Sequence, residues 1–118
     1  MLEKDTLNAG KMLDRGALLV DIREWEEVET VAFDVEDVLH LPYSLFTDSF
    51  QEIPVHREVI VGCRSGSRSL EAVRFLKEQG FQKVYSLKGG INDWIYRNLP
   101  VSWDNEVPAE VLPLVEKK

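Results

Sequence analysis

The chain has 118 residues, 44% of them hydrophobic, which suits one ordinary domain with a packed core. Its 14 basic and 21 acidic side chains leave a formal net charge of −7, which argues against nucleic acid or an anionic membrane as the main partner, since both demand a net basic face. No stretch approaches the roughly 20 apolar residues of a membrane span, residues 1–5 lack the basic flank and apolar run of a signal peptide, and the single unpaired cysteine fits a reducing cytoplasm.

The chain opens with a helical pattern. Leu7, Met12 and Leu13 lie at helix-compatible spacing, with Asp5 or Thr6 available as N-cap and Gly16 just past the end. The run Ala17-Leu18-Leu19-Val20-Asp21-Ile22 reads as a buried strand. Residues 24–29 are acidic and read as a short helix around Trp25 and Val28, with its carboxylates on a solvated face. Val38-Leu39-His40-Leu41, stopped by Pro42, is a second short strand, followed by a short helix or turn over 45–50. Val59-Ile60-Val61-Gly62 is the third strand.

Over 67–79, Leu70, Val73 and Leu76, with Ala72 and Phe75 beside them, form a helical stripe closed by Gly80. Lys83-Val84-Tyr85-Ser86-Leu87 is a further strand, and residues 90–96 a final helix ending before Pro100. Strands alternating with helices predict an α/β domain with a largely parallel sheet covered on both faces. That domain spans 1–101. Residues 102–118, with Pro108 and Pro113, read as an irregular tail. Trp103 either pins that tail to the domain or is exposed for a partner.

The chemistry concentrates in Cys63-Arg64-Ser65-Gly66-Ser67-Arg68-Ser69, between a strand and a helix. A strand that ends in Cys and turns through Gly into a helix aims several backbone N–H groups at one point. That arrangement binds an anion and favours a thiolate over a thiol. Arg64 and Arg68 add two cations to an otherwise acidic protein. Ligands of open α/β sheets sit at the C-terminal ends of the strands, and Cys63 falls at such an end.

Other residues have plainer readings. An Asp at a strand end commonly caps a neighbouring loop, so Asp21 and Arg23 read as structural. His40 and His56 have no Cys, Asp or Glu at metal-ligand spacing, which argues against a zinc site. No metal or organic cofactor is implied. Gly89-Gly90 lacks the further Gly and the Lys-Ser/Thr of a nucleotide loop and reads as a tight turn beside the site. Ser65, Ser67 and Ser69 have no G-x-S-x-G elbow around them and read as loop donors and a helix cap. Trp94 reads as core packing under the loop.

Taken together, four patterns resemble the rhodanese-like sulfurtransferases over residues 7–101. Val20-Asp21-Ile22-Arg23-Glu24 is similar to that family's V-D-x-R-E signature, and Cys63 to Ser69 match its C-x-S-G-x-R-S loop. Ala72, Leu76 and Gly80 follow at the family's spacing, and Leu87-Lys88-Gly89-Gly90-Ile91-Asn92-Asp93-Trp94 matches its L-x-G-G-x-x-x-W ending. One stretch departs from the pattern: Phe33-Asp34-Val35-Glu36-Asp37-Val38 stands where members carry G-H-I-x-G-A, and His40 falls on an Asn position.

The resemblance implies about five mostly parallel strands with helices on both faces. It also implies Cys63 as nucleophile and persulfide carrier. Arg64, Ser65, Gly66, Ser67 and Arg68 become the sulfur and anion cradle. The partners implied are a small sulfur donor, thiosulfate or a persulfide, and a thiol or protein cysteine as acceptor. Two other readings stay open. One is a non-catalytic binding module on the same fold. The other is a phosphatase or arsenate reductase, which would use a C-x5-R loop; here Cys63 to Arg68 is C-x4-R, a spacing that suits a sulfur atom better than a phosphoryl group.

Overall fold

The computed structural model describes residues 2–104. A two-residue strand, β1 (Glu3–Lys4), precedes helix α1 (Thr6–Asp14), whose N-cap is Asp5; its carboxylate accepts the Asn8 N–H at 2.8 Å. Strand β2 (Leu18–Asp21) is buried along its length, and helix α2 (Trp25–Thr30) runs straight into β3 (Val31–Phe33). After β4 (Val38–His40), two 3-10 turns flank the single turn of α3 (Phe46–Ser49). Then come β5 (Val59–Gly62), α4 (Ser67–Glu78), β6 (Val84–Leu87), α5 (Gly90–Tyr96) and β7 (Val101–Trp103).

Five strands form one parallel sheet in the order β1-β6-β5-β2-β4. Side chains alternate across it as the strand period requires. Leu18, Val20, Val59 and Val61 point to one face, into a cluster with Phe46 and with Ala72, Val73 and Leu76 of α4. Leu19 and Ile60 point to the other, against Ala9 and Leu13 of α1 and Ile91 and Trp94 of α5. Each fully buried aliphatic or aromatic side chain contributes about 1.5–3 kcal/mol. The α/β architecture with both faces covered is therefore as the sequence predicts.

The register carries the functional consequence. Asp21 pairs with Gly62, and Val61 with Ser86. The C-terminal ends of β2, β5 and β6 thus lie side by side, with Cys63 one residue beyond β5.

Three details differ from the sequence reading. Leu7 is exposed, and the buried face of α1 consists of Thr6, Ala9 and Leu13; Thr6 reaches α5 through a 2.9 Å bond from its hydroxyl to Asp93. Residues 102–103, read as the start of an irregular tail, continue from Val101 as strand β7, paired antiparallel with β3. Residues 105–118 of that tail lie outside the described residues. The acidic residues of 24–29 are not all solvated: Glu24 accepts bonds from the Ser44 N–H and hydroxyl at 3.0 Å, and Glu27 turns toward the Cys63 loop.

Candidate active site

The first bond of α4 runs from the Leu70 N–H to the Gly66 carbonyl. That leaves the N–H groups of the first turn without helical partners. One of them, together with the N–H of the N-cap Gly66, reaches the cysteine sulfur. Sγ of Cys63 accepts the Gly66 N–H at 3.1 Å and the Ser69 N–H at 3.4 Å, and Oγ of Ser69 lies 3.3 Å away. The partial positive charge of a helix N-terminus adds to the same point. Cys63 is only 1% exposed, so a reactant must present a slender end to reach it.

Two glycines make this geometry possible. Gly66 has φ 104°, a left-handed conformation that other residues rarely adopt, at the turn into α4. Gly90 has φ 61°, and a Cβ there would fall 2.5 Å from the Cys63 carbonyl oxygen and closer still to that of Arg64. That close approach lets the Ile91 N–H bond the Cys63 carbonyl at 2.8 Å and the Asn92 N–H bond that of Arg64 at 3.1 Å. The Gly89-Gly90 pair is thus a turn that clamps the loop from behind.

Of the five residues expected to form the cradle, only Gly66 donates to the resting sulfur. Arg64, Ser65 and Ser67 are exposed. Arg68 points sideways and pairs with Glu27 at 3.3 Å. Ser69, one residue beyond the expected cradle, supplies both an N–H and a hydroxyl. Its Oγ also lies 3.2 Å from the Gly66 carbonyl and 2.7 Å from Oγ of Ser86 on β6.

The surrounding charges are organised by β2 and α2. Arg23 forms a buried fork with Asp21, from Nη2 at 2.7 Å and Nε at 3.0 Å; both residues are 1% exposed. Arg23 also donates to the Glu27 carbonyl at 3.3 Å, which ties α2 to the strand end. His40 Nε2 lies 2.6 Å from the Arg23 carbonyl; a carbonyl only accepts, so that nitrogen carries the proton. Phe33, in the stretch that departs from the family pattern, packs edge-on against Trp94 and beneath the Arg23 guanidinium. Asp21 and Arg23 therefore have the structural role the sequence suggests.

Burial tends to raise the Glu27 carboxyl pKa, but the Glu24 N–H and the Arg68 guanidinium together outweigh it and hold the group below its ordinary range. Tyr43 donates its hydroxyl to Glu71 at 2.6 Å, a bond that raises the phenol's pKa, with burial adding to the effect. Beside the loop opens a pocket of about 400 Å3, lined by Arg64, Arg23, Glu26, Glu27, Ile91 and Trp103. Trp103 is 56% exposed and is carried there by the β3–β7 pairing. Arg64 forms no ion pair among the described residues.

Glu27 and Ser86 are site neighbours that the motif reading passed over, and Ser69, read as a loop donor or helix cap, was left out of the expected cradle. Each comes from a different element. Ser86 was marked only by being a small polar residue inside an otherwise apolar strand.

Known proteins resemble this chain over most of its length. The family model "Rhodanese-like domain" matches residues 5–96. A sulfurtransferase of Allochromatium vinosum is 42% identical over 84 residues, covering 71% of this chain and 77% of that protein. The thiosulfate sulfurtransferase GlpE of Actinobacillus pleuropneumoniae is 35% identical over 88 residues, covering 75% and 80%. Among solved structures, a rhodanese-related protein from Thermoplasma volcanium superposes with a TM-score of 0.78 over 86% of this chain and 98% of that one. At 22% identity it speaks for the fold alone.

Proposed function

The chain belongs to the rhodanese-like domain family, and from that premise we propose that it is a sulfurtransferase with Cys63 as its sulfur carrier. Sulfur transfer as a class is supported by the relatives, among them proteins named sulfurtransferase and thiosulfate sulfurtransferase. The observation that carries the assignment to Cys63 is its sulfur receiving two backbone N–H bonds at the N-terminus of α4.

In the first half-reaction the Cys63 thiolate attacks the outer sulfur of thiosulfate or of a persulfide. A new S–S bond forms, the donor's own bond to that sulfur breaks, and the electron pair leaves with sulfite or a thiolate. Because sulfite is a stable anion, no general acid is needed. The enzyme is left with a persulfide whose outer sulfur carries negative charge. The N–H groups of residues 64–68 meet that charge, which would fall among them as the sulfur extends outward. In the second half-reaction a thiol or protein cysteine, as its thiolate, takes the outer sulfur and returns Cys63 to its thiolate.

Arg64 is the exposed cation of the loop and the side chain that meets the oxygens of an anionic donor. Arg68, already paired with Glu27, holds the loop to α2. We place the protein in the cytoplasm, where thiols are kept reduced.

Steady-state transfer from thiosulfate to cyanide tests the reading. The two-step scheme requires parallel double-reciprocal lines and no activity in Cys63→Ser. Intersecting lines, or activity surviving that substitution, would reject it.

A further inference from the structure

The hydrogen bonds behind Cys63 have a proton count that singles out one residue on β6. Ser69 Oγ has one proton and two lone pairs. Its three neighbours are the Cys63 sulfur, the Gly66 carbonyl oxygen and Ser86 Oγ. The carbonyl only accepts. In the thiol form the S–H donates to Ser69 Oγ and the Ser69 proton goes to Gly66. The remaining lone pair on Ser69 then requires Ser86 to be the donor. When the sulfur loses its proton to solvent, the Ser69 hydroxyl swings from the Gly66 carbonyl onto the sulfur. Ser86 still donates to Ser69. In both states the proton of Ser86 is used in the same place.

We propose that Ser86 is a positioning residue for Cys63. Its hydroxyl, 2.7 Å from Ser69 Oγ, keeps Ser69 polarised and aimed so that the Ser69 proton is available to the thiolate. Ser86 acts only through Ser69. The inference rests on the sulfur-transfer reading to the extent that this reaction needs Cys63 as a thiolate.

Three observations support it. Ser69 and Ser86 are both fully buried, so water does not substitute for either partner. The β5–β6 register pairs Ser86 with Val61, two residues before Cys63, so the strand presents this hydroxyl on the same face as the sulfur. Ser69 is the only partner of the Ser86 hydroxyl among the described residues. The backbone N–H of Ser86 is engaged elsewhere, with the Leu2 carbonyl at 2.7 Å. Chained donors of this kind strengthen one another in a low-dielectric interior.

The test is the rate of Cys63 alkylation by iodoacetamide as a function of pH, followed by intact mass. It compares the wild type, Ser86→Ala, Ser69→Ala and the double variant. Ser86→Ala removes one oxygen and leaves the Leu2 bond intact, and circular dichroism of each variant checks that it is folded. Loss of one buried hydrogen bond slows alkylation near neutral pH by about three- to tenfold. The curves converge at high pH, where every thiol is ionised, and Ser86→Ala causes no further slowing in the Ser69→Ala background. A Ser86→Ala rate equal to wild type near neutral pH overturns the proposal, as do multiplicative effects in the double variant. Faster alkylation at every pH also overturns it, because Ser86 would then serve packing alone. Alkylation needs no sulfur donor. A chain that transfers no sulfur yet shows the coupled slowing therefore loses the proposed reaction and keeps this inference.

Discussion

The Arg68 guanidinium lies 3.3 Å from the Glu27 carboxylate, joining the loop around Cys63 to the helix that follows β2. The pair leaves the two loop arginines unequal: Arg68 is neutralised, and Arg64 faces outward. Two opposite effects on an anionic donor follow. Arg64→Ala raises KM for thiosulfate by about five- to tenfold, the loss of one charge-assisted contact. Glu27→Gln removes a negative charge and lowers it by about two- to fivefold, most strongly at low ionic strength. Initial rates against thiosulfate at two salt concentrations measure both; an unchanged KM in Arg64→Ala removes Arg64 from the donor site.

The Asp21–Arg23 fork predicts a large stability effect. Replacing Arg23 by Met leaves a buried carboxylate without its cation and also releases the Glu27 carbonyl. Breaking one half of such a pair costs about 3–5 kcal/mol. Chemical denaturation measures it. Pairing the change with Asp21→Asn recovers part of the loss if charge burial is the cause, and recovers nothing if the side chain matters only as packing.

Gly90→Ala tests the clamp behind the loop. The added methyl meets the carbonyls of Cys63 and Arg64, at a backbone conformation that alanine adopts only under strain. The expected result is a folded protein, by circular dichroism, with sulfur transfer reduced more than about tenfold, since a misplaced reactive atom is costly. Wild-type turnover in this variant would show that the loop does not depend on α5 for its shape.

Acid should weaken the fold through two named carboxylates. Glu27 is held below its ordinary value of 4.5 by the Glu24 N–H and Arg68, against the opposing effect of burial. Asp93 is held below 3.8, first by the Thr6 hydroxyl and then by Arg97, again against burial. A lowered folded pKa means that the unfolded chain binds the proton more readily. The stabilisation is therefore complete above those ordinary values and is lost as pH falls through the lowered ones. Thermal melting followed from neutral pH down into the acid range measures the loss. Asp93→Asn should flatten the acid slope, and an unchanged slope would assign the effect elsewhere.

Much of the fold could be read from the residues. The apolar runs of β2, β5 and β6 and the stripe of α4 are strong periodic signals, and each falls within a residue or two of its observed place. Strands β1, β3 and β7 escaped because none exceeds three residues and their pairing is set by distant partners. The local pattern placed Cys63 at a strand end and Gly66 at the turn. It did not separate the residues of the loop that reach the sulfur from those that face outward. That division depends on the helical twist of the first turn of α4, which brings Ser69 back over Cys63 while Ser65 and Ser67 face away. Glu27 looked like one more solvated carboxylate because the sequence holds no trace of Arg68, 41 positions later, folding across to it.

Whether Cys63 carries sulfur is read most directly from the mass of the intact protein. Intact mass is recorded after incubation with thiosulfate and, separately, with a small persulfide, beside Cys63→Ser. The expected result is a gain of one sulfur atom in the wild type, none in the variant, and loss of that sulfur when a thiol acceptor is added. No gain with either donor, or an equal gain in Cys63→Ser, would contradict it.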